Sequence, residues 1–409
     1  MPAAGMIIEY NPLHSGHVYL MEETRRQLGA ETPIIGVMSG DFVQRGDFAL
    51  LRRQARARAA VESGVDLVLE LPLPWAVSSA ERFADGGVQT LLATGLVTHL
   101  TFGSECGDAA ALREIAACLL SEAYQTELRS RLGGGASYAA CRQSAVEALL
   151  GKEPAALLET PNNNLGVEYC KALLRHGACV QPVTTKRLGA AHDGEAKAGE
   201  YPSASVIRDL LRQGEHSAAL ELMAPAMRTQ YLAEEAAGRT PVFSEHCERA
   251  VLARLRSMSR AEFAALDEGQ EGLGHRLYDA VRETASLEEA LDAAKTKRYA
   301  YARLRRMALW AYLGIVPAER PAVPLYLRPL AANAVGRELL AKMRKTAVLP
   351  VLAKPNHVRR LSPEAQRLFE QEVRAADLYA LAYPDLSAAR GGSLWKEMPD
   401  ILALDPGKE

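Results

Sequence analysis

The sequence lacks the cysteine patterns that would indicate a disulfide scaffold or a zinc site. Its six cysteines among 409 residues form no C-x-x-C pair, and none lies at zinc-ligand spacing from a histidine. This pattern favours reduced, mostly buried thiols in a cytoplasmic protein. The nine histidines include no His-Glu-x-x-His pattern, so we expect no metal site built by the protein itself.

Long apolar runs and an excess of one charge are also missing. No stretch of about 18 uncharged apolar residues occurs, which predicts that nothing spans a membrane. The first residues lack the basic and apolar regions of a signal peptide. Lys and Arg number 48 against 50 Asp and Glu, so any binding of nucleic acid must depend on a local patch. A hydrophobic content of 48% excludes disorder over most of the chain.

Short apolar runs alternate with helical patterns over the first two hundred residues. This alternation is typical of βαβ units and predicts an α/β fold with a parallel, Rossmann-like sheet. Residues 109–176 are mostly helical in pattern and are expected to form an insertion. The predicted strands cover residues 4–9, 33–38, 65–71, 99–102 and 179–185.

The pattern changes near Met223, where strand signals fade and Glu, Ala, Arg and Leu recur at helical spacing. Residues 245–316 are predicted to be a run of helices. We therefore expect two domains, an α/β domain over residues 1–222 and a mainly α-helical domain over residues 223–409.

A His-x-Gly-His pattern follows the first predicted strand, where the first helix is expected to begin. Gly16 lets the backbone approach a ligand closely, and the unpaired N–H groups of a helix start favour an anion. His14 and His17, expected at an exposed position, can donate to phosphate oxygens and stabilise a pyrophosphate leaving group. The pattern predicts a phosphate site, although a polar turn with two solvated histidines is the simpler alternative.

A second pattern lies late in the α/β region, at the start of another predicted helix. Ser203 and Ser205 offer hydroxyls, and Arg208 offers a guanidinium for β- and γ-phosphates. Alone, these residues would indicate only a capped amphipathic helix. Together with His14 and His17 they are similar to the two motifs of the nucleotidyltransferase superfamily, with small changes at Ala204 and Ser205.

A narrower resemblance covers nearly the whole chain. Four further motifs are similar to those of the bacterial tRNA(Met) cytidine acetate ligase family: Ser39 to Gly46, Phe102 to Glu105, Pro161 to Tyr169 and Lys295 to Tyr299. The resemblance implies activation of acetate with ATP to acetyl-adenylate, and transfer of the acetyl group to the wobble cytidine of elongator tRNA(Met). The sequence departs from the family's pattern at Asp41, where Asn is expected, and at Asn164, where Ile is expected.

The resemblance also implies which residues bind ATP. Magnesium is expected to arrive with the ATP. With the second phosphate motif, the predicted ATP-binding residues are Ile7, Ile8, Glu9, Tyr10, Asn11, Pro12, Leu13, His14, Ser15, Gly16, His17, Val18, Tyr19, Leu20, Gly103, Asn162, Arg187, Ser203, Ser205 and Arg208.

Arg45 follows the second predicted strand, at the carboxyl edge of the sheet where open α/β folds bind ligands. We predict that it holds the acetate carboxylate or the transferring acyl phosphate, with an ordinary surface salt bridge as the alternative. With His14 and His17 it completes the predicted catalytic set.

Basic residues interleaved with tyrosines follow residue 294, a composition that suits phosphates and unstacked bases. The alternative is a solvated basic helix face. The predicted RNA-binding residues are Lys295, Lys297, Arg298, Arg305 and Arg306.

Three other functions remain open at this stage. A small-molecule adenylyltransferase without an RNA substrate would use the same phosphate motifs, but such enzymes are usually shorter. A non-catalytic nucleotide-binding protein would not need both histidines. An acetyl-CoA-dependent transferase would need an acyl-CoA pyrophosphate loop, which the sequence does not show, so we expect no acetyl-CoA.

Overall fold

The computed structural model describes residues 3–132, 136–187 and 201–402, and no helix in this part of the chain is long and apolar enough to cross a membrane. The strands are β1 (Ala3–Ile8), β2 (Ile34–Ser39), β3 (Phe42–Val43), β4 (Asp47–Phe48), β5 (Leu67–Leu71), β6 (Val97–Ser104), β7 (Gln181–Lys186), β8 (Pro329–Ala332) and β9 (Asp400–Ile401). The helices of the first half are α1 (Ser15–Leu28), α2 (Arg53–Glu62), α3 (Leu73–Ala76), α4 (Ala80–Leu92), α5 (Ala109–Leu120), α6 (Glu122–Arg131), α7 (Tyr138–Leu150), α8 (Lys152–Ala156), α9 (Pro161–Arg175) and α10 (Ala204–Arg212). The later helices are α11 (His216–Leu222), α12 (Pro225–Ala236), α13 (Glu248–Ser257), α14 (Arg260–Ala264), α15 (Leu273–Glu283), α16 (Leu287–Ala294), α17 (Tyr301–Leu313), α18 (Ala334–Thr346) and α19 (Pro363–Ala380).

Seven of the described strands form one sheet in the order β7-β6-β1-β2-β5-β8-β9. The five strands from β7 to β5 run parallel, as the sequence predicts. Strands β2 and β5 are added on one side of β1, and β6 and β7 are added on its other side. The topological switch point therefore lies at the carboxyl end of β1, where open α/β sheets bind their ligands.

Alternation along the strands places apolar side chains on both faces of this sheet. On β2, Ile35 and Val37 pack with α4 and α9 on one face, whereas Ile34 and Met38 pack with α2 on the other. Both faces are covered, which is why the predicted strands are continuous apolar runs without polar alternation.

The C-terminal half is mainly helical, as predicted, and α13 to α17 share a core around the buried Trp310. It also supplies two strands that the sequence did not indicate. β8 pairs antiparallel with β5, with Leu67 opposite Ala332, and β9 pairs parallel with β8. The helical half thus completes the edge of the sheet beside β5, while the division of the chain at residue 222 stays a prediction.

Candidate active site

The loop after β1 is fixed by hydrogen bonds to its main chain. Arg56, which is fully buried on α2, donates to the carbonyl oxygen of Glu9. The side chain of Asn11 accepts from the backbone N–H of Leu50 at 2.7 Å. Tyr10 has a φ of 47°, a left-handed conformation that is uncommon outside glycine. The chain therefore turns sharply at the switch point and enters α1 in a fixed direction.

His14 and His17 lie side by side at the start of α1, with ring centroids 3.8 Å apart. His14 is the N-cap: its Nδ1 accepts from the N–H of Gly16 at 3.1 Å, and the Nδ1 of His17 accepts from the N–H of His14 at 3.3 Å. Because both Nδ1 atoms are acceptors, each neutral ring carries its proton on Nε2. The pair therefore offers two Nε2–H donors.

The expectation that both histidines are exposed is wrong for His14, whose accessible surface is 3% of its maximum. Burial, reinforced by the nearby charge of Arg187, lowers the pKa of His14 to about 3. Burial also lowers the pKa of His17, and the charges of His14 and Arg187 lower it further. Both rings are therefore neutral at pH 7, and they can stabilise phosphate charge as hydrogen-bond donors without carrying a charge themselves.

Arg187 joins this site from the end of β7. Its N–H donates to the carbonyl oxygen of Ser104 at 2.9 Å, and its side chain crosses Gly103. A Cβ at Gly103 would lie 3.3 Å from Cγ of Arg187, so the absence of a side chain there leaves room for the guanidinium stem. Gly103 and Arg187 were predicted separately, and the structure brings them together beside the two histidines.

Asn162 lies at the start of α9, where it is tied to the end of β6. Its Nδ2 donates to Oε1 of Glu105 at 2.7 Å, and the N–H of Asn163 donates to Oε2 at 2.7 Å. The carboxylate of Glu105 thus caps α9. The side-chain oxygen of Asn162 is the group left to accept a hydrogen bond from a nucleotide.

The second phosphate motif packs directly against the first. Arg208, in α10, donates to the carbonyl oxygen of Asn11 at 2.6 Å. Ser203 caps α10 by accepting from the N–H of Val206, and its hydroxyl lies 2.8 Å from that of Ser205. A Cβ at Gly16 would lie 3.1 Å from Cβ of Tyr201 and 3.1 Å from Cε1 of His14, so a side chain at this position of the first motif would press on both neighbours.

Arg45 lies at the tip of an unpredicted hairpin formed by β3 and β4. Its side chain is exposed, and its charge acts on Glu9. The neighbouring Gly46 has a φ of 79°, and a Cβ there would lie 2.5 Å from the backbone nitrogen of Arg306 in α17. The hairpin therefore connects the switch point with the helical half of the chain.

The five predicted RNA-binding residues have different surroundings. Lys297, Arg298 and Arg305 are exposed, and Arg305 lies over the ring of Tyr301 at 4.9 Å. Lys295 is half-buried. Arg306 is buried and forms two hydrogen bonds, of 2.7 and 2.8 Å, with the carboxylate of Glu268. This geometry favours a structural role for Arg306, because its guanidinium already has a partner inside the protein.

A buried ionic cluster beneath the loop after β2 gave no signal in the sequence. Asp41 pairs with Arg53 at 3.0 Å, and Arg53 lies 3.4 Å from Glu70. Glu70 also pairs at 2.6 Å with Arg328, from the C-terminal half. Asp41, which departs from the resembled family's pattern, thus has its charge compensated within the protein. No pattern could indicate this cluster, because its members are distant in the sequence.

The described residues contain no group of three or more His, Cys, Asp or Glu side chains arranged to hold a metal ion. Their six cysteines are free thiols, of which Cys141, Cys170 and Cys247 are buried. Neutral imidazoles, guanidiniums and a helix start are instead the groups that bind phosphates.

Comparison with known proteins identifies a family that covers nearly the whole chain. The family described as HIGH Nucleotidyl Transferase matches residues 1–393. A protein of Acetivibrio thermocellus named tRNA(Met) cytidine acetate ligase is 34% identical over 406 residues, covering 96% of this chain and 98% of that protein. A protein of the same name from Fervidobacterium nodosum is 32% identical over 417 residues, covering 96% and 97%.

Two crystal structures of Thermotoga maritima TmcAL have the same fold. The form bound with alpha-thio ATP has a TM-score of 0.92 at 31% identity, and the apo form has a TM-score of 0.94 at 32% identity. Each comparison covers 98% of this chain and 100% of the other. The likeness therefore includes the helical half as well as the sheet.

Proposed function

Because this chain belongs to the HIGH nucleotidyl transferase family, we propose that it is an ATP-dependent ligase that acetylates a cytidine of tRNA(Met). One observation carries the chemistry: two neutral imidazoles present Nε2–H groups at the switch point of a parallel sheet, beside Arg187 and Arg208. The names of relatives that match 96% of the chain supply acetate and tRNA(Met).

In the first step, an oxygen of acetate attacks the α-phosphorus of ATP and pyrophosphate leaves with the bonding electron pair. His14 and His17 donate to the phosphate oxygens on which charge develops, and the guanidiniums of Arg187 and Arg208 offset the charge of the departing pyrophosphate. Ser203 and Ser205 offer further hydroxyl donors. The product is acetyl-adenylate. The protein needs no covalent nucleophile, because it mainly positions the reactants and neutralises their charge.

In the second step, the exocyclic amine of the cytidine attacks the acetyl carbon and AMP leaves. Arg45, exposed at the tip of the hairpin between β3 and β4, is proposed to hold the acetate or its adenylate. The exposed Lys297, Arg298 and Arg305 are proposed to contact RNA phosphates. We further propose that the accepting base is the wobble cytidine of elongator tRNA(Met), that magnesium accompanies ATP, and that the enzyme acts in the cytoplasm without acetyl-CoA.

Labelled acetate tests this function directly. The protein, incubated with ATP, magnesium, labelled acetate and elongator tRNA(Met), should put label into acid-insoluble RNA without acetyl-CoA. A tRNA with uridine at the wobble position should take up no label, because uridine has no exocyclic amine. Equal labelling of both tRNAs, or labelling that requires acetyl-CoA, would contradict the proposal. Adenylate transfer to a phosphorylated small molecule, with no label in RNA, would favour an adenylyltransferase.

A further inference from the structure

The carboxylate of Glu9 occupies a distinctive position at the carboxyl end of β1. Its Oε1 accepts two hydrogen bonds, from the hydroxyl of Ser39 at 2.9 Å and from the N–H of Gln44 at 2.8 Å. Its Oε2 receives no hydrogen bond from the residues that the structure describes, and the residue keeps partial solvent exposure. One oxygen is thus anchored, whereas the other is available to a ligand at the switch point.

The carboxylate is held from both directions. Arg56 fixes the backbone of Glu9 through its carbonyl oxygen, and the side chain of Gln44 donates to the carbonyl oxygen of Ser78 at 3.1 Å. Glu9 therefore lies between the phosphate motif that follows it and the loop carrying Arg45. Acetyl-adenylate must lie between these same two elements if the histidines bind its phosphate and Arg45 its acyl end.

The surroundings of Glu9 favour its protonated form more than water does. Burial raises the pKa of this carboxyl, while the hydrogen bonds from Gln44 and Ser39 and the charges of Arg56 and Arg45 oppose that effect. Tyr169, on α9, is near enough for the charge of Glu9 to act on its hydroxyl, and burial keeps that phenol protonated by raising its pKa. A carboxylate with a raised pKa is a stronger base than one in water.

The second step of the proposed function needs such a base. The exocyclic amine of cytidine is a weak nucleophile because its lone pair is delocalised into the ring, and it gains a positive charge when it attacks a carbonyl carbon. Removing one proton during the attack relieves this charge and makes the step productive. The phosphate of the adenylate, a singly charged mixed anhydride until its bond to the acetyl carbon breaks, is a much weaker base than a carboxylate.

We propose that Glu9 is the general base of acetyl transfer, with Oε2 accepting the proton from the exocyclic amine of the cytidine. The nitrogen–carbon bond forms as the bond between the acetyl carbon and the adenylate oxygen breaks. AMP leaves with that electron pair, and the proton passes from Oε2 to solvent. This inference rests on the proposed function, and it gives Glu9 a role in the transfer step beyond its predicted contact with ATP.

Glu9→Gln separates this role from a merely structural one. Glutamine keeps an Oε1 that accepts from Ser39 and Gln44, but its amide cannot take a proton. Acetate-dependent exchange between pyrophosphate and ATP measures what the change costs ATP binding, because Glu9 is also among the predicted ATP-binding residues. Single-turnover transfer from preformed acetyl-adenylate to tRNA(Met) should fall by at least ~10²-fold more than that exchange. Equal losses in both assays would show that Glu9 serves ATP binding or the fold, and normal transfer would also overturn the proposal.

Ser39→Ala is the matched control, since it removes one anchor of Oε1 but leaves the base. Its transfer rate should fall less than tenfold.

The pH dependence of transfer gives a second test. The wild-type transfer rate should rise with pH and level off as Glu9 loses its proton. Ser39→Ala should keep this dependence, and Glu9→Gln should lose it. A rising limb that persists in Glu9→Gln would assign the dependence to another group. If wild-type protein transfers no acetyl group to tRNA, the proposed function fails first, so the two failures can be told apart.

Discussion

At the scale of single residues, His14 combines two roles in one ring. Nδ1 caps the first helix by accepting from the N–H of Gly16, and Nε2–H remains for a phosphate. Asparagine is among the best N-cap residues because its side-chain oxygen accepts the same kind of bond. His14→Asn should therefore keep the melting temperature within a few degrees of wild type. Acetate-dependent pyrophosphate exchange should still drop by at least ~10²-fold.

His14→Ala provides the comparison, because alanine removes both the cap and the donor. It should lose about 1 kcal/mol of unfolding free energy. Its loss of pyrophosphate exchange should equal that of His14→Asn. Near-normal exchange in His14→Asn would mean that His14 does not contact the phosphates.

The low pKa of His14 also makes the stability of the ligand-free protein depend on pH. The folded ring takes a proton only near pH 3, whereas the unfolded ring does so near its ordinary value of 6.5. Stability from this difference is fully present above pH 6.5 and is lost as pH falls below it, by about 1.4 kcal/mol per pH unit. Urea unfolding at pH 7.5 and 5.5 should show this loss in wild type and a smaller loss in His14→Asn.

At the scale of elements, we expect the beginning of α17 and the residues before it to determine how the proposed RNA binding responds to salt. Lys297→Ala, Arg298→Ala and Arg305→Ala combined should weaken tRNA binding and reduce the slope of log K against log salt by about 2, since fewer counterions are released. Exchange of pyrophosphate without RNA should survive. An unchanged slope would identify this cluster as an ordinary solvated helix face.

Arg306→Ala is expected to behave differently from the other changes in this cluster. Removing the guanidinium takes both hydrogen bonds from the mostly buried carboxylate of Glu268 and leaves only Arg303 near it, at 3.9 Å, so unfolding free energy should fall by more than 1 kcal/mol. The salt slope should not change, because Arg306 is already paired inside the protein. A thermal melt and a salt titration of the same sample would distinguish the two effects.

These elements also show how much of the fold and of the site could be predicted from the sequence. Local patterns predicted the parallel strands and the first phosphate motif, because apolar runs and short spacings report on structure formed nearby in the chain. The second phosphate motif was predicted only with the help of the family resemblance. The contact of Arg208 with Asn11 could be inferred only from a resemblance, since these residues lie 197 positions apart. Strand β8 could not be predicted at all: four residues carry no periodicity, and their pairing with β5 depends on the whole fold.

At the scale of the whole molecule, the sheet needs both halves of the chain. A fragment of residues 1–222 would leave β5 without its neighbour β8, and Glu70 without Arg328. An unpaired edge strand of buried apolar residues promotes aggregation. We expect this fragment to be insoluble or to bind no ATP, which expression followed by gel filtration would check. A soluble fragment that exchanges pyrophosphate would show that the first 222 residues fold as an independent domain.

The late arrival of β8 has a consequence for synthesis on the ribosome. β5 ends at Leu71 and its partner begins at Pro329, so roughly 260 residues must be added before this edge can be covered. At ~5–20 residues per second, the edge of β5 waits for about 13–50 s while the rest of the chain emerges. During that interval we expect the nascent chain to bind a chaperone that covers exposed apolar strands. Slowing translation between these two strands should therefore lower the yield of soluble protein.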